Sequence, residues 1–120
     1  MGAGKTQFVK GLSRAMGITE HVVSPTYDLI QEYSKLNSKQ SSIFSFKLLH
    51  IDTWRMLKAN EELKELGLKE LIDDKTIIAI EWADRAIEEI KKYSDDAIII
   101  WVKIEYGKNT DDRLISWGVV

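Results

Sequence analysis

The first residues of the chain are of types that bind phosphate. Gly2-Ala3-Gly4-Lys5-Thr6 matches the end of the pattern G-x-x-x-x-G-K-[ST], which forms a loop between a strand and a helix. Glycines let successive backbone N–H groups turn toward phosphate oxygens, and the helix that follows presents its positive end to the same anion. In that arrangement Lys5 neutralises the β and γ phosphates of a nucleotide, and the Thr6 hydroxyl ligates magnesium. The alternative is a flexible chain start that has this spelling but binds nothing.

The phosphate-loop pattern lacks its beginning. Its first glycine and the strand that feeds the loop would both precede Met1. A methionine fits the apolar position within such a loop, so we expect Met1 to be an internal residue of a longer chain. The alternative is an impaired fragment, because the missing strand would leave apolar surface and backbone groups exposed on its neighbours.

Two acidic residues come directly after apolar, strand-like runs. Asp52 follows residues 48–51, and Glu81 follows residues 77–80. A carboxylate at the end of a strand can hold magnesium, directly or through water, or orient an attacking water. The run at 76–80 is continuously apolar, which predicts a strand that is buried on both faces and more deeply than the Asp52 strand. For each carboxylate the alternative is a solvated turn residue.

Other side chains are weaker candidates for a site. Thr26 follows a proline in a loop, where it would contact the γ-phosphate or its magnesium, or else sit exposed in a simple turn. Trp82 comes directly after Glu81 and is the tryptophan that we assign to the site. Arg55 and Arg85 would form surface salt bridges, or would contact phosphate or a partner protein.

The hydrophobic pattern predicts the elements that must position these residues. Helices are expected at 6–16 with Gly17 as the cap, at 83–93, and as one or two short helices within 63–71, broken at Gly67. Strands are expected at 27–33 and 43–51 as an antiparallel hairpin, at 76–80, at 97–104 and at 113–117. The 97–104 strand is expected to be buried. Alternating helices and strands favour an α/β sheet.

Composition sets limits on the class of protein. The 120 residues fit a single domain over 1–120, with 44% hydrophobic and 30% charged residues. The net charge of −2 gives no general attraction to nucleic acid or to anionic membrane. The chain contains no cysteine, and its apolar runs are too short to cross a bilayer. We therefore expect a soluble, cytoplasmic protein.

Four motifs taken together resemble one known family. They are Met1-Gly2-Ala3-Gly4-Lys5-Thr6, Ser24-Pro25-Thr26-Tyr27, His50-Ile51-Asp52-Thr53-Trp54-Arg55 and Ile80-Glu81-Trp82-Ala83-Asp84-Arg85. In this order and spacing they resemble the TsaE (YjeE) family of small bacterial ATPases, which help to make the threonylcarbamoyl modification of adenosine in tRNA. The resemblance covers nearly the whole chain.

The resemblance implies a fold, cofactors and residue roles. The fold would be a three-layer α/β P-loop NTPase with an antiparallel hairpin, here without its N-terminal strand. Residues 1–6 would bind the phosphates of ATP, with Lys5 as the charge clamp. Thr6 and Glu81 would hold Mg²⁺, and Asp52 would assist hydrolysis. Thr26 would lie in a switch-like loop, and Trp82 would lie at the nucleotide.

The resemblance also implies partners. Family members act on a threonylcarbamoyl-transfer complex of two related proteins, TsaD and TsaB, and meet tRNA only indirectly. ATP hydrolysis would reset that complex, so low activity in isolation is expected. This chain has Trp54 where family members usually have tyrosine.

Three other functions fit parts of the sequence. A small P-loop kinase for a metabolite would need an arginine-rich lid, and the sequence has no clear one. A nucleotide-binding module would switch a partner without turnover. An inactive fragment would unfold without a cooperative transition.

Overall fold

The structure is a computed structural model that describes residues 4–18, 30–34 and 47–119, and these form a mixed α/β arrangement. The helices are α1 (Lys5–Ala15), α2 (Ala59–Glu65), α3 (Leu68–Leu71) and α4 (Ile87–Lys91), with a 3-10 helix at Ala83–Ala86. The strands are β1 (Ile30–Ser34), β2 (Lys47–Asp52), β3 (Thr76–Glu81), β4 (Ile100–Tyr106) and β5 (Arg113–Val119). No helix in the described ranges is both long enough and apolar enough to span a membrane.

The first sheet has the strand order β1-β2-β3. β1 and β2 are antiparallel, which confirms the predicted hairpin, although residues 27–29 and 43–46 of the predicted strands lie outside the described residues. β2 and β3 are parallel and in register from Lys47 opposite Thr76 to Asp52 opposite Glu81. The carboxyl ends of β2 and β3 therefore meet at one edge of the sheet.

β2, rather than β3, is the most deeply buried strand of this sheet. Leu48 and Ile51 of β2 are both fully buried. Residues 76–80 of β3 are only half-buried, so the prediction that this strand is buried on both faces, and more deeply than the Asp52 strand, is wrong. The physical reason is position: among the described strands, β3 has a neighbour on one side only, whereas β2 has neighbours on both.

Two hydrophobic clusters pack against this sheet. Leu48 belongs to the cluster that includes Val9 of α1, whereas Ile51 belongs to the cluster that includes Leu63 of α2 and Ile90 of α4. Side chains three apart in a strand point to opposite faces, so α1 covers one face and α2 with α4 covers the other. The apolar sides of the helices thus form two hydrophobic clusters, one on each face of the sheet.

The helices follow the sequence pattern at their glycines and depart from it after Trp82. Gly17, with φ of 79°, follows the end of α1, and Gly67, with φ of 77°, separates α2 from α3, both as predicted. The single helix predicted for 83–93 is instead the 3-10 helix followed by the short α4. Ala86 interrupts it with φ of −125° and ψ of 28°, outside helical geometry.

β4 and β5 form a separate two-stranded antiparallel sheet. The strand predicted at 113–117 is confirmed and extends from Arg113 to Val119. The prediction of a buried strand at 97–104 is wrong, because β4 begins at Ile100 and most of its side chains are exposed. Among the described strands, this hairpin has no third strand beside it, and that leaves its apolar residues accessible.

Candidate functional site

Gly4 directly precedes α1 as its N-cap and has a backbone conformation that favours glycine. Its φ of 102° lies in the left-handed region, and its carbonyl oxygen accepts a hydrogen bond from the Phe8 N–H group at 2.9 Å. The first turn contains no acidic residue. The first N–H groups of a helix have no acceptor within it, so the positive end of α1 lies at Lys5 and Thr6.

Glu81 lies between a residue of α1 and a residue of β2. Its Oε1 atom is 3.4 Å from the Thr6 hydroxyl, and its Oε2 atom is 2.6 Å from His50 Nε2. Glu81 is 8% exposed and His50 is fully buried. The carboxylate is thus held from one side by imidazole and presents its other oxygen to Thr6.

Asp52 and Glu81 are direct neighbours in the β2–β3 register. The Oδ1 atom of Asp52 accepts a hydrogen bond from the Trp54 N–H group at 2.9 Å. Thr53 joins the two strand ends, because its N–H group and its hydroxyl both donate to the Glu81 carbonyl at 3.2 Å. The same hydroxyl lies 2.6 Å from the Trp82 carbonyl oxygen. The two carboxylates therefore stand side by side on a backbone fixed by Thr53.

Trp82 presents its ring beside the start of α1. The Lys5 ammonium lies 4.2 Å from the centre of this ring, within cation–π distance. Trp54 lies against it, with ring centres 4.4 Å apart and planes tilted by 36°. Trp82 has φ of 57°, the one non-glycine residue in the described part of the chain with a positive φ. This conformation costs about 1–2 kcal/mol, so the surrounding contacts must hold it.

Arg85 contacts backbone carbonyl oxygens and forms no salt bridge with another residue that the structure describes. Its Nη1 atom donates to the carbonyl oxygens of Thr53 and Trp54, and its Nη2 atom donates to that of Met56 at 2.6 Å. The guanidinium carbon lies 6.0 Å from the centre of the Trp54 ring. Arg85 therefore connects the segment after β3 to the turn after β2.

A groove of about 420 Å³ adjoins Gly4 on the side of the β4–β5 hairpin. Phe8 lines it from α1, and the cross-strand pair Ile104 and Ile115 lines it from the hairpin. Polar side chains also contribute, namely Gln7, Asp111 and Arg113. The sequence analysis missed this groove, because its residues are far apart in the chain and follow no motif.

The structure brings the described candidates together. Lys5 and Thr6 lie beside Trp82 and Glu81, and Asp52 lies next to Glu81. Met1, Gly2, Ala3 and Thr26 lie outside the described residues. Sequence reasoning assigned no role to His50 or Thr53, and it did not foresee the backbone contacts of Arg85. A histidine in an otherwise apolar strand, two residues before Asp52, was the available signal for His50.

These features define a class of protein. A Gly-Lys-Thr sequence at the start of a helix, next to an acidic residue at the end of a parallel strand, is consistent with a P-loop NTPase type of fold. The family model described as "Threonylcarbamoyl adenosine biosynthesis protein TsaE" matches residues 1–115. The chain belongs to the TsaE family, and the resemblance inferred from the four motifs is confirmed.

Curated relatives agree with this assignment. The chain is 39% identical over 92 residues to the tRNA threonylcarbamoyladenosine biosynthesis protein TsaE of Borreliella burgdorferi, covering 77% of this chain and 61% of that protein. It is 33% identical to the protein of the same name from Treponema pallidum over 94 residues, 78% of this chain and 62% of that one. For the Bacillus subtilis protein, identity is 36% over 90 residues, 75% of this chain and 50% of that one. The chain thus spans roughly half to three-fifths of the length of these relatives.

Proposed function

We propose that this chain is a magnesium-dependent ATPase that serves the biosynthesis of threonylcarbamoyladenosine in tRNA. The observation that carries this proposal is the contact of Thr6 with Glu81 at 3.4 Å, directly beside Lys5, in a chain of the TsaE family. α1 on one face of the sheet and α2 with α4 on the other fit a three-layer P-loop architecture.

Lys5 and the start of α1 would bind the phosphates. The Lys5 ammonium already lies close to the positive end of α1, where the unpaired N–H groups of the first turn favour an anion. In the described ranges, the ammonium contacts the Trp82 ring and is not engaged in a salt bridge. Lys5 can therefore turn to a phosphate without breaking an ion pair.

The donor atoms near Thr6 fit magnesium. Mg²⁺ prefers oxygen ligands at about 2.1 Å in octahedral geometry, so two adjacent ligands lie about 3 Å apart. The Thr6 hydroxyl and Glu81 Oε1 are 3.4 Å apart, which requires only a small approach. In the described part of the chain, no cluster of three or more His, Cys, Asp or Glu side chains could hold a metal alone. Thr6 and Glu81 would thus hold the ion together with nucleotide phosphates, and the ion would supply positive charge there.

Asp52 would orient the attacking water. It stands next to Glu81 at the same edge of the sheet, and the hydrogen bond from the Trp54 N–H group fixes its Oδ1 atom. A carboxylate held in this way can accept a hydrogen bond from water near the γ-phosphate. Asp52 is therefore our candidate for the residue that distinguishes hydrolysis from binding alone.

The groove beside Gly4 is our candidate site for the nucleoside part of ATP. Its volume of about 420 Å³ lies within the range of small-molecule pockets. Phe8, Ile104 and Ile115 provide apolar surface for a flat base, and Asp111 provides a hydrogen-bond acceptor. Its position next to Gly4 would place the base on one side of the phosphate loop and the phosphates at α1.

The expected partners are TsaD and TsaB, with tRNA met only through them. The names of the curated relatives concern tRNA threonylcarbamoyladenosine biosynthesis, and the partner assignment comes from the family resemblance. ATP turnover by this chain would be measured best in the presence of both partners, since turnover in isolation is expected to be slow.

Thermal unfolding with and without Mg-ATP tests the nucleotide site. A ligand present at a hundred times its Kd stabilises the folded state by about 2.7 kcal/mol, which raises the unfolding midpoint. Lys5→Ala should abolish this rise. The matched control is Lys10→Ala, which removes a lysine of α1 that is not part of the site and should retain the rise. A cooperative wild-type transition with no rise would contradict nucleotide binding.

Phosphate release in the presence of TsaD and TsaB tests turnover. Wild type should release phosphate, whereas Asp52→Asn should retain the Mg-ATP shift but release phosphate much more slowly. A wild-type protein that shifts with Mg-ATP and releases no phosphate would be a nucleotide-binding module. Phosphate transfer to an added metabolite would identify a kinase instead.

A further inference from the structure

We infer that Arg85 is a positioning residue, which fastens the turn at 53–56 to the end of β3 and thereby holds Asp52 and the Trp54 ring in place. The inference rests on the proposed function in assigning hydrolysis to Asp52. The turn itself is an observation: the Met56 N–H group donates to the Thr53 carbonyl at 3.0 Å. The Arg85 guanidinium donates to three carbonyl oxygens of the same turn.

The geometry of these contacts requires an arginine. A guanidinium is planar and carries five N–H donors in fixed directions, so one side chain can serve three carbonyl oxygens from two nitrogen atoms. The ammonium of a lysine is a compact charge and lacks this fork. Arg85 lies three residues after Trp82, and its N–H group donates to the Trp82 carbonyl at 3.1 Å. The guanidinium thus starts from the segment that carries Glu81 and Trp82.

A short chain of contacts leads from Arg85 to Asp52. The Trp54 carbonyl accepts from Arg85, and the Trp54 N–H group donates to Asp52 Oδ1 at 2.9 Å. Both peptide groups of Trp54 are therefore fixed, one by each residue. The guanidinium also lies 6.0 Å from the Trp54 ring, which packs on Trp82. A shift of the turn would move the carboxylate and the ring together.

Circular dichroism in the absence of nucleotide tests whether Arg85 keeps the turn at 53–56 in place. Two indoles in contact give a coupled pair of bands, and Trp54→Phe defines the spectrum without that coupling. Arg85→Ala and Arg85→Lys should both lose most of the coupled signal. The control Arg14→Ala removes an exposed arginine from the last turn of α1 and should retain it. An intact signal in both Arg85 variants would overturn the inference, since Thr53 would then suffice.

Turnover with the partner proteins tests the link to Asp52. Arg85→Ala should lower kcat by about ten- to a hundredfold, because small displacements of reacting groups have effects of this size, while the Mg-ATP thermal shift stays within about twofold of wild type. In the Asp52→Asn background, single-turnover rates should fall by less than about twofold on adding Arg85→Ala. If the rate losses from Asp52→Asn and Arg85→Ala multiply, or if Arg85→Ala reduces binding and turnover equally, then Arg85 does not act through Asp52.

Arg85→Lys separates geometry from charge and covers the case in which Arg85→Ala does not fold. If Arg85 acts through its three carbonyl contacts, Arg85→Lys should stay close to the alanine variant in kcat. Wild-type turnover in Arg85→Lys would mean that only its charge matters, and would overturn the inference. If wild type shows no turnover at all, the proposed function fails, and the circular-dichroism comparison alone decides the role of Arg85.

Discussion

His50 Nε2 lies 2.6 Å from Glu81 Oε2, and the imidazole is fully buried beneath the carboxylate. An ionised carboxylate only accepts hydrogen bonds, so with Glu81 ionised the Nε2–H group is the donor of this contact. Nδ1 is also buried, and it has no hydrogen-bond partner among the residues that the structure describes. The arrangement directs one oxygen of Glu81 into the core and leaves the other to Thr6. A buried histidine that fixes a strand-end carboxylate thus prepares the proposed magnesium site.

His50→Leu should reduce the free energy of unfolding by about 1–3 kcal/mol, because it leaves Glu81 Oε2 largely buried without its donor. His50→Gln keeps an amide donor on a side chain of similar length and should lose less. Urea unfolding of the two variants measures the difference. Equal stability of His50→Leu and wild type would show that the imidazole is not what supports Glu81.

The parts of the site that the sequence predicted are those with local signals. Gly4, Lys5 and Thr6 could be proposed because the phosphate-loop pattern and the helix after it are continuous in the chain. Asp52 and Glu81 could be proposed because each follows an apolar run, and the structure pairs their strands in parallel. In each case the residue and the element that positions it are adjacent in sequence.

The parts that could not be predicted depend on contacts between distant segments. Nothing in the local pattern of β3 reveals how many strands flank it, so an apolar run was taken for a strand buried on both faces. The exposure of β4 could not be predicted for the same reason, because its sequence does not reveal that β5 is its only neighbour among the described strands. Arg85 reaches carbonyl oxygens about 30 residues away in the chain, and backbone acceptors leave no trace in residue types. His50 reads as a core residue until its partner Glu81 is placed beside it.

At Trp82, the glycine variant should be more stable than the alanine variant, which is the reverse of the usual order. Its φ of 57° favours glycine over L-amino acids, so Trp82→Gly should be more stable than Trp82→Ala by about 0.5–1 kcal/mol, although both lose the ring. Trp101, in the extended strand β4, is the matched control. There the alanine variant should be more stable than the glycine variant, because glycine weakens a strand. Urea unfolding of the four variants checks the reversal, and the same order at both sites would contradict strain at Trp82.

The Glu89–Tyr93 pair should give stability a specific pH dependence. The Tyr93 hydroxyl donates to Glu89 Oε1 at 2.7 Å, and the Lys92 ammonium lies 3.0 Å from Glu89 Oε2. Burial, and then the contact with Glu89, raises the pKa of Tyr93 from 10.0 to about 12. Because the folded state keeps the phenol proton more tightly, this stabilisation is complete below pH 10 and is lost between pH 10 and about 12.

Glu89 behaves in the opposite sense. Burial by itself raises the pKa of Glu89, but hydrogen bonds from Tyr93 and Lys92 outweigh it, and the net pKa lies below 4.5. Its contribution is therefore present above pH 4.5 and is lost as the pH falls further. Between pH 9 and pH 11, the thermal unfolding midpoint should fall further for wild type than for Tyr93→Phe. Tyr106→Phe, at an exposed tyrosine, should behave as wild type. If the midpoint falls equally in all three proteins between pH 9 and pH 11, the contact of Tyr93 with Glu89 does not stabilise the fold.

Gly4 and Gly11 provide a matched test of the phosphate loop. A Cβ atom added at either position meets no atom of the described residues within 4 Å, so contacts with these residues do not distinguish the two positions. Gly4 has φ of 102°, whereas Gly11 lies exposed within α1. Gly11→Ala should therefore stabilise the fold by about 0.5–1 kcal/mol, and Gly4→Ala should destabilise it by about 1–3 kcal/mol.

The same two variants should also separate in nucleotide binding. Gly11→Ala leaves the start of α1 unchanged and should retain the thermal shift with Mg-ATP. Gly4→Ala forces the backbone away from its left-handed conformation next to Lys5, and should lose most of the shift at a temperature where it is still folded. Denaturant unfolding and thermal shift on the same samples separate loss of fold from loss of binding. A full Mg-ATP shift in Gly4→Ala would mean that phosphate binding does not depend on this backbone conformation.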